Sequence, residues 1–198
     1  MKKFIYFVPF LCFLGVMMAF GGPQKFFFKV INKFENTASA SGTGGDFMHD
    51  KESMSSLIDT FRKQTEQPIL ISEMQFEQNK FYAFVQNNNN TENADEIYFE
   101  KGAWGKAPLK IIGGGGKLHG KLGNFDKINT QILIENAIVA KKKSEEIGFE
   151  NTKIEKIKII HTGNDTFKII YTVSNYPKGL AEMETDMSGK IINFKEIK

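Results

Sequence analysis

The chain has 198 residues, room for one compact domain or two small ones beside a targeting segment, and 41% apolar residues, which excludes intrinsic disorder for its bulk. Its formal net charge of +3 sits at the start: Lys2, Lys3 and Lys25 lie in or beside an apolar stretch, and from Phe26 onward 23 basic residues meet 23 acidic ones. That neutral remainder, with Arg62 as its only arginine, argues against nucleic-acid binding, which favours arginine forks and a basic face.

Residues 4–24 carry no charge. A helix of that length reaches about 30 Å, the thickness of a bilayer core. Residues 1–24 are therefore expected to insert into a membrane, as a transmembrane anchor or as a signal peptide cut near Ala19–Gly21. Lysines on both sides of the run tie the positive-inside count. Residues 25–36 explain the trailing ones. Phe27, Val30, Ile31 and Phe34 follow helical spacing, and Lys25, Lys29 and Lys33 repeat on another face, the pattern of an amphipathic helix whose lysines reach lipid phosphates. Cys12, the single cysteine, lies inside the apolar run, so the rest of the chain forms no disulfide and no thiolate metal site. Leu11 before it argues against lipidation.

Residues 37–46 read as a linker by composition. A first α+β repeat is expected over 47–112. Ser53 is placed to cap a helix with the stripe Met54, Leu57, Ile58 and Phe61, ending before Pro68. Strand-like runs follow at 69–77, 80–86 and 95–100, the last continuing through a glycine turn towards Trp104 and Ile112, with 87–93 as a polar loop. A glycine-rich joint spans 113–123. The order then recurs over 124–198. Asn124 caps a second helix with Phe125, Ile128, Ile132 and Val139 on one side, Gly148 stops it, and strands follow at 153–161, 166–174, 180–187 and 190–197. Segments 95–102 (DEIYFEKG) and 181–189 (AEMETDMSG) share a pattern, an acidic strand entering a glycine turn. The expected fold class is α+β, two tandem helix-plus-antiparallel-sheet units after the N-terminal helix, with two sheets side by side.

Helix 128–143, the strands through Ile157, Ile159 and 168–173, and the closing Thr185-Asp186-Met187-Ser188-Gly189-Lys190-Ile191-Ile192 together resemble a PepSY-type envelope domain. The tandem arrangement is similar to that of beta-lactamase-inhibitor proteins. The resemblance implies a non-enzymatic envelope module that binds or inhibits another molecule; it carries over no binding residue.

Chemistry-bearing motifs are sparse. Gly115-Gly116-Lys117-Leu118-His119-Gly120-Lys121 satisfies G-x-x-x-x-G-K, but Leu122 stands where Ser or Thr would hold magnesium, so a flexible joint is the reading. His49, His119 and His161 lack ligand-spaced partners, and no nucleophile motif is present, so no catalytic residue, metal or cofactor is expected. Glu182, Glu184 and Asp186 alternate and would share one strand face, a solvated face or a contact for a cation or basic partner. The run Phe81-Tyr82-Ala83-Phe84-Val85 is apolar on both faces. One face should meet the helix. The other, Tyr82 and Phe84 with Tyr98 or Trp104 nearby, is either packing between repeats or a protein-contact surface. The expectation is a membrane-anchored, extracytoplasmic binding protein of the bacterial envelope, secreted if the first segment is cleaved. The alternatives are an envelope enzyme or small-ligand carrier using the space between repeats, and a structural part of a secretion apparatus.

Overall fold

The computed structural model describes residues 47, 48, 50–109, 118, 121–175 and 179–197, all within one compact unit, Gly42–Lys198. The segments 1–24, 25–36 and 37–46, with Lys25, Lys29 and Lys33, lie outside the described residues, as does most of the 113–123 joint. Among the described residues no helix is long and apolar enough to cross a membrane.

The first helix, α1, is Lys51–Gln64. Asp50 caps it, its carboxylate accepting from the Glu52 and Ser53 amides at 3.1 and 3.0 Å and from the Ser53 hydroxyl. The cap thus lies three residues earlier than expected, and Ser53 assists it from the first turn. The stripe is as read: Met54, Leu57, Ile58 and Phe61 are buried. Asp50→Ala is expected to lower the thermal midpoint by about 2–4 °C, the usual effect of losing a cap in a domain of this size; an unchanged midpoint would show that the Ser53 hydroxyl substitutes for the carboxylate.

A meander follows: β1 Leu70–Glu77, β2 Lys80–Asn87, β3 Asn90–Glu100 and β4 Ala103–Leu109. The expected polar loop at 87–93 is shorter than read. Asn87 pairs with Asn90, and the Asn87 side chain accepts from the Asn89 and Asn90 amides at 2.9 and 3.0 Å. That side-chain turn lets the hairpin run on into solvent. A short strand β5, Gly123–Asn124, and a 3-10 turn, Phe125–Lys127, lead to α2, Gln131–Glu146. Asn124 caps the 3-10 turn, accepting from Asp126 at 2.9 Å, and Asn129 accepts from the Gln131 amide at 3.1 Å at the start of α2. Because α2 begins at Gln131, its buried side is Leu133, Ala137, Ala140 and Ser144, and Val139 turns outward. The helix stops as read: Gly148 has φ +91°, and the Gly148 and Phe149 amides return to Glu145 and Ser144 at 3.0 Å each, a Schellman ending. The second meander is β6 Lys153–Gly163, β7 Thr166–Asn175, β8 Gly179–Thr185 and β9 Ile191–Ile197.

The strands form one antiparallel sheet in the order β4-β3-β2-β1-β6-β7-β8-β9, with β5 paired to β1. The fold is α+β, with nine strands and two helices among the described residues. Where two side-by-side sheets are expected, β1 hydrogen-bonds to β6 from Glu73↔Ile160 to Glu77↔Lys156 and makes the sheet continuous. Residues directly opposite share a face. The row Trp104, Phe99, Phe81, Phe76, Ile157, Tyr171, Met183 and Phe194 therefore crosses all eight strands on one side. Both helices pack on that side: Phe61 meets Phe81 and Phe125 edge-on at 5.2 and 5.4 Å, and Leu133, Ala137 and Ala140 join the same apolar cluster.

Candidate functional site: the helix-free face of the sheet

On the other side the register sets out polar rows. One runs Gly105, Tyr98, Tyr82, Gln75, Lys158, Ile170, Glu184 and Asn193; the next runs Ala103, Glu100, Lys80, Glu77, Lys156, Thr172, Glu182 and Lys195. No helix among the described residues packs on this face.

Most of its charges are matched. Lys80 meets Glu100 at 2.9 Å, Lys158 meets Glu73 at 3.0 Å, Lys168 meets Glu184 at 3.4 Å and Lys195 meets Glu182 at 3.2 Å. At the centre the Tyr82 hydroxyl lies 3.0 Å from Glu73 and 2.9 Å from Gln75, and the Gln75 amide donates to Glu77 at 2.6 Å. Partial burial, then the hydrogen bond to Glu73, pushes the Tyr82 phenol well above its ordinary range, so the ring stays neutral at physiological pH.

Three of the four aromatic residues singled out in the sequence come together here. Tyr82 and Tyr98 are directly opposite, and the Tyr82 and Phe84 rings lie 5.3 Å apart and tilted by 30°. Trp104 does not join them. The two-residue turn at Lys101 and Gly102, with φ +53° and +80°, pairs Trp104 with Phe99, and its ring packs on Phe81 at 5.6 Å among the helix-side core. Of the acidic stripe, Glu182 and Glu184 are on the face but paired with its own lysines. Asp186 follows the last residue of β8 and belongs to the turn, accepting from the Ser188 hydroxyl at 2.6 Å and the Lys190 amide at 3.0 Å. Sequence reasoning missed Glu73, Gln75, Glu96 and Lys158; their signal was the same period-two alternation that placed Tyr82.

A hollow of about 420 Å³ opens on this face where β1 leaves β6. Its lining includes Ser72, Glu73, Phe84, Lys121, Ile160 and Thr162. A bulge between Ile71 and Glu73 turns β1 there towards β5. Beside it, Lys127 meets Asp165 at 2.7 Å, tying the 3-10 turn to the β6–β7 hairpin. That bond, then the Asn124 amide, holds the Asp165 carboxyl below its ordinary value of 3.8. A folded pKa below the unfolded one stabilises above the ordinary value and is lost as pH falls through the folded value. Asp165→Asn is therefore expected to flatten the acid limb of a stability curve as pH falls through and below the ordinary value of 3.8; an unchanged limb would remove this pair from the account.

Among the described residues no group of His, Cys, Asp and Glu is arranged to hold a metal ion. The chain matches no protein-family model, no curated protein and no solved structure.

Proposed function

We propose that this chain is a membrane-anchored, extracytoplasmic binding protein of the bacterial cell envelope, built from two tandem helix-plus-meander units and non-enzymatic. The observation that carries the reading is the one-sided architecture: both helices lie on one face of a continuous eight-strand row, leaving the other face, with Tyr82, Phe84 and Tyr98, to meet a protein partner. Tyrosine is favoured in such contacts because it brings apolar area and a polar tip with few rotatable bonds. Residues 4–24 supply the anchor, or the export signal if they are cleaved, and Lys25, Lys29 and Lys33 rest on the bilayer surface. The PepSY-type likeness of the second half agrees with a binding module.

The test is a sided one. Full-length chain in mild detergent is used to retain partners from envelope extract, beside Ile170→Glu on the helix-free face and Ile138→Glu on the outside of α2, where Ile138 is 65% exposed. The expected result is a partner lost with the first variant and kept with the second. Equal retention by both, or no partner at all, would overturn the reading. Protease added to intact spheroplasts should digest the domain; a protected domain would place it on the cytosolic side.

A further inference from the structure

We infer that Tyr98, Tyr82, Phe84 and Glu96 form a binding site for a cationic segment, a stretch of the partner protein bearing arginine or lysine. The inference rests on the reading of the helix-free face as a protein-binding surface and names what part of that face takes.

The first support is how Tyr98 is held. A Cβ on Gly105 would fall 2.3–2.5 Å from the Tyr98 Cζ, Cε2 and hydroxyl. The far end of the ring thus occupies the space above the β4 backbone that a side chain at 105 would fill. With one side against that backbone, Tyr98 remains 37% exposed, and Tyr82 stands directly across from it. Seating an aromatic ring against main chain leaves a preformed platform whose electron-rich face is available to a cation.

The second support is a carboxylate that no described residue neutralises. On β1–β3 this face carries Glu73, Glu77, Glu96 and Glu100 against one lysine, Lys80. Lys80 is held by Glu100, and Glu73 is shared by Lys158 and Tyr82. Glu96 has no ion pair or hydrogen bond among the described residues. It is partly buried, lies directly opposite Phe84 and Ala107, and is two residues from Tyr98 on the same side of β3. An anionic ligand would be repelled there, and an apolar one would strip water from Glu96 without replacing it. A guanidinium or ammonium group satisfies the carboxylate and the rings together. The β6–β9 half of the face carries Lys153, Lys156, Lys158, Lys168 and Lys195 against Glu155, Glu182 and Glu184, so a basic segment is steered to the β1–β3 half.

The probe is a fluorescein-labelled dodecapeptide of repeated Arg-Ser-Gly, with a twin in which neutral citrulline replaces arginine. Each is titrated by anisotropy into the full-length chain in non-ionic detergent. The wild type should bind the arginine peptide about fivefold or more tighter than the citrulline twin. Glu96→Gln and Tyr98→Leu should each erase most of that difference. Gly105→Ala, which keeps every charged and aromatic group but fills the space under Tyr98, should do the same. Glu135→Gln on the outside of α2 should leave it unchanged and serves as the control for diffuse attraction. Equal binding of the two peptides, or equal loss with Glu96→Gln and Glu135→Gln, overturns the assignment. So does an envelope partner that is lost with Ile170→Glu but kept with Glu96→Gln and Tyr98→Leu; the face would then remain a binding surface with its contact elsewhere. Circular dichroism melts of each variant confirm that it is folded.

Discussion

Phe61→Ala is expected to lower the unfolding free energy by about 3–5 kcal/mol, a large share of what a domain of this size has. Phe61 is fully buried and is the one side chain of α1 that touches both Phe81 of β2 and Phe125 of the 3-10 turn edge-on. Removing the ring subtracts its transfer free energy and leaves a void among the helix, β2 and the 3-10 turn, and the cost grows with whatever part of that void the neighbours do not fill. Arg62 next to it also lies over the Phe125 ring, 5.2 Å from its centre. Urea unfolding would measure the loss, and a value under about 1 kcal/mol would mean that the helix and the turn close over the gap.

Gly123→Ala is the second large effect, about 1–3 kcal/mol of destabilisation from overpacking. Gly123 pairs with Ile71 at the point where β1 parts from β6. A Cβ there would sit 2.6 Å from the His161 Cδ2 and from the Phe167 Cζ. These two rings pack edge-on against each other at 5.3 Å, and Phe167 is buried, so neither gives way freely. The strain belongs to two ring contacts, one of which can be removed separately, which makes it testable. Phe167→Leu removes the ring atoms that crowd position 123, so the double variant should be less destabilised than the sum of the single ones. Strict additivity would rule out the Phe167 contact as the cause and leave the strain to His161.

Local chemistry made much of this fold legible. The stripe of α1, the left-handed glycine after α2, and the alternation of Phe167, Ile169, Tyr171 and Val173 all read directly, because each depends on neighbours within one element. The errors share a different cause. Trp104 was open to either face until the turn at Lys101 and Gly102 was known to hold two residues; one more or fewer flips every later side chain across the sheet. The buried side of α2 shifted because the chain spends 125–127 on a 3-10 turn before the helix begins. Asp186 left the strand face because its carboxylate closes a turn with Ser188 and Lys190. The pairing of β1 with β6 was not legible at all. Met74 and Phe76 meet Ile159 and Ile157 across the seam, yet these residues would serve equally well in a strand facing any apolar neighbour. The site inherits this division: Tyr82 and Phe84 followed from alternation, whereas the company of Glu73 and Lys158 depends on the seam.

That seam also orders events in time. Each meander is built from hairpins whose strands adjoin in sequence, so each half can pair as soon as it leaves the ribosome. The seam joins residues about 80 positions apart, a loop closure that must await the whole second half. Until β6 arrives, β1 holds an unprotected central edge, with Met74 and Phe76 on it and neither proline nor lysine to blunt it. A chain truncated before Lys153 would carry that edge permanently. Its expected fate is edge-to-edge association with other incomplete copies. The strand that unites the finished sheet is therefore the liability of the nascent one, and the interval before β6 emerges is when a chaperone would be needed most.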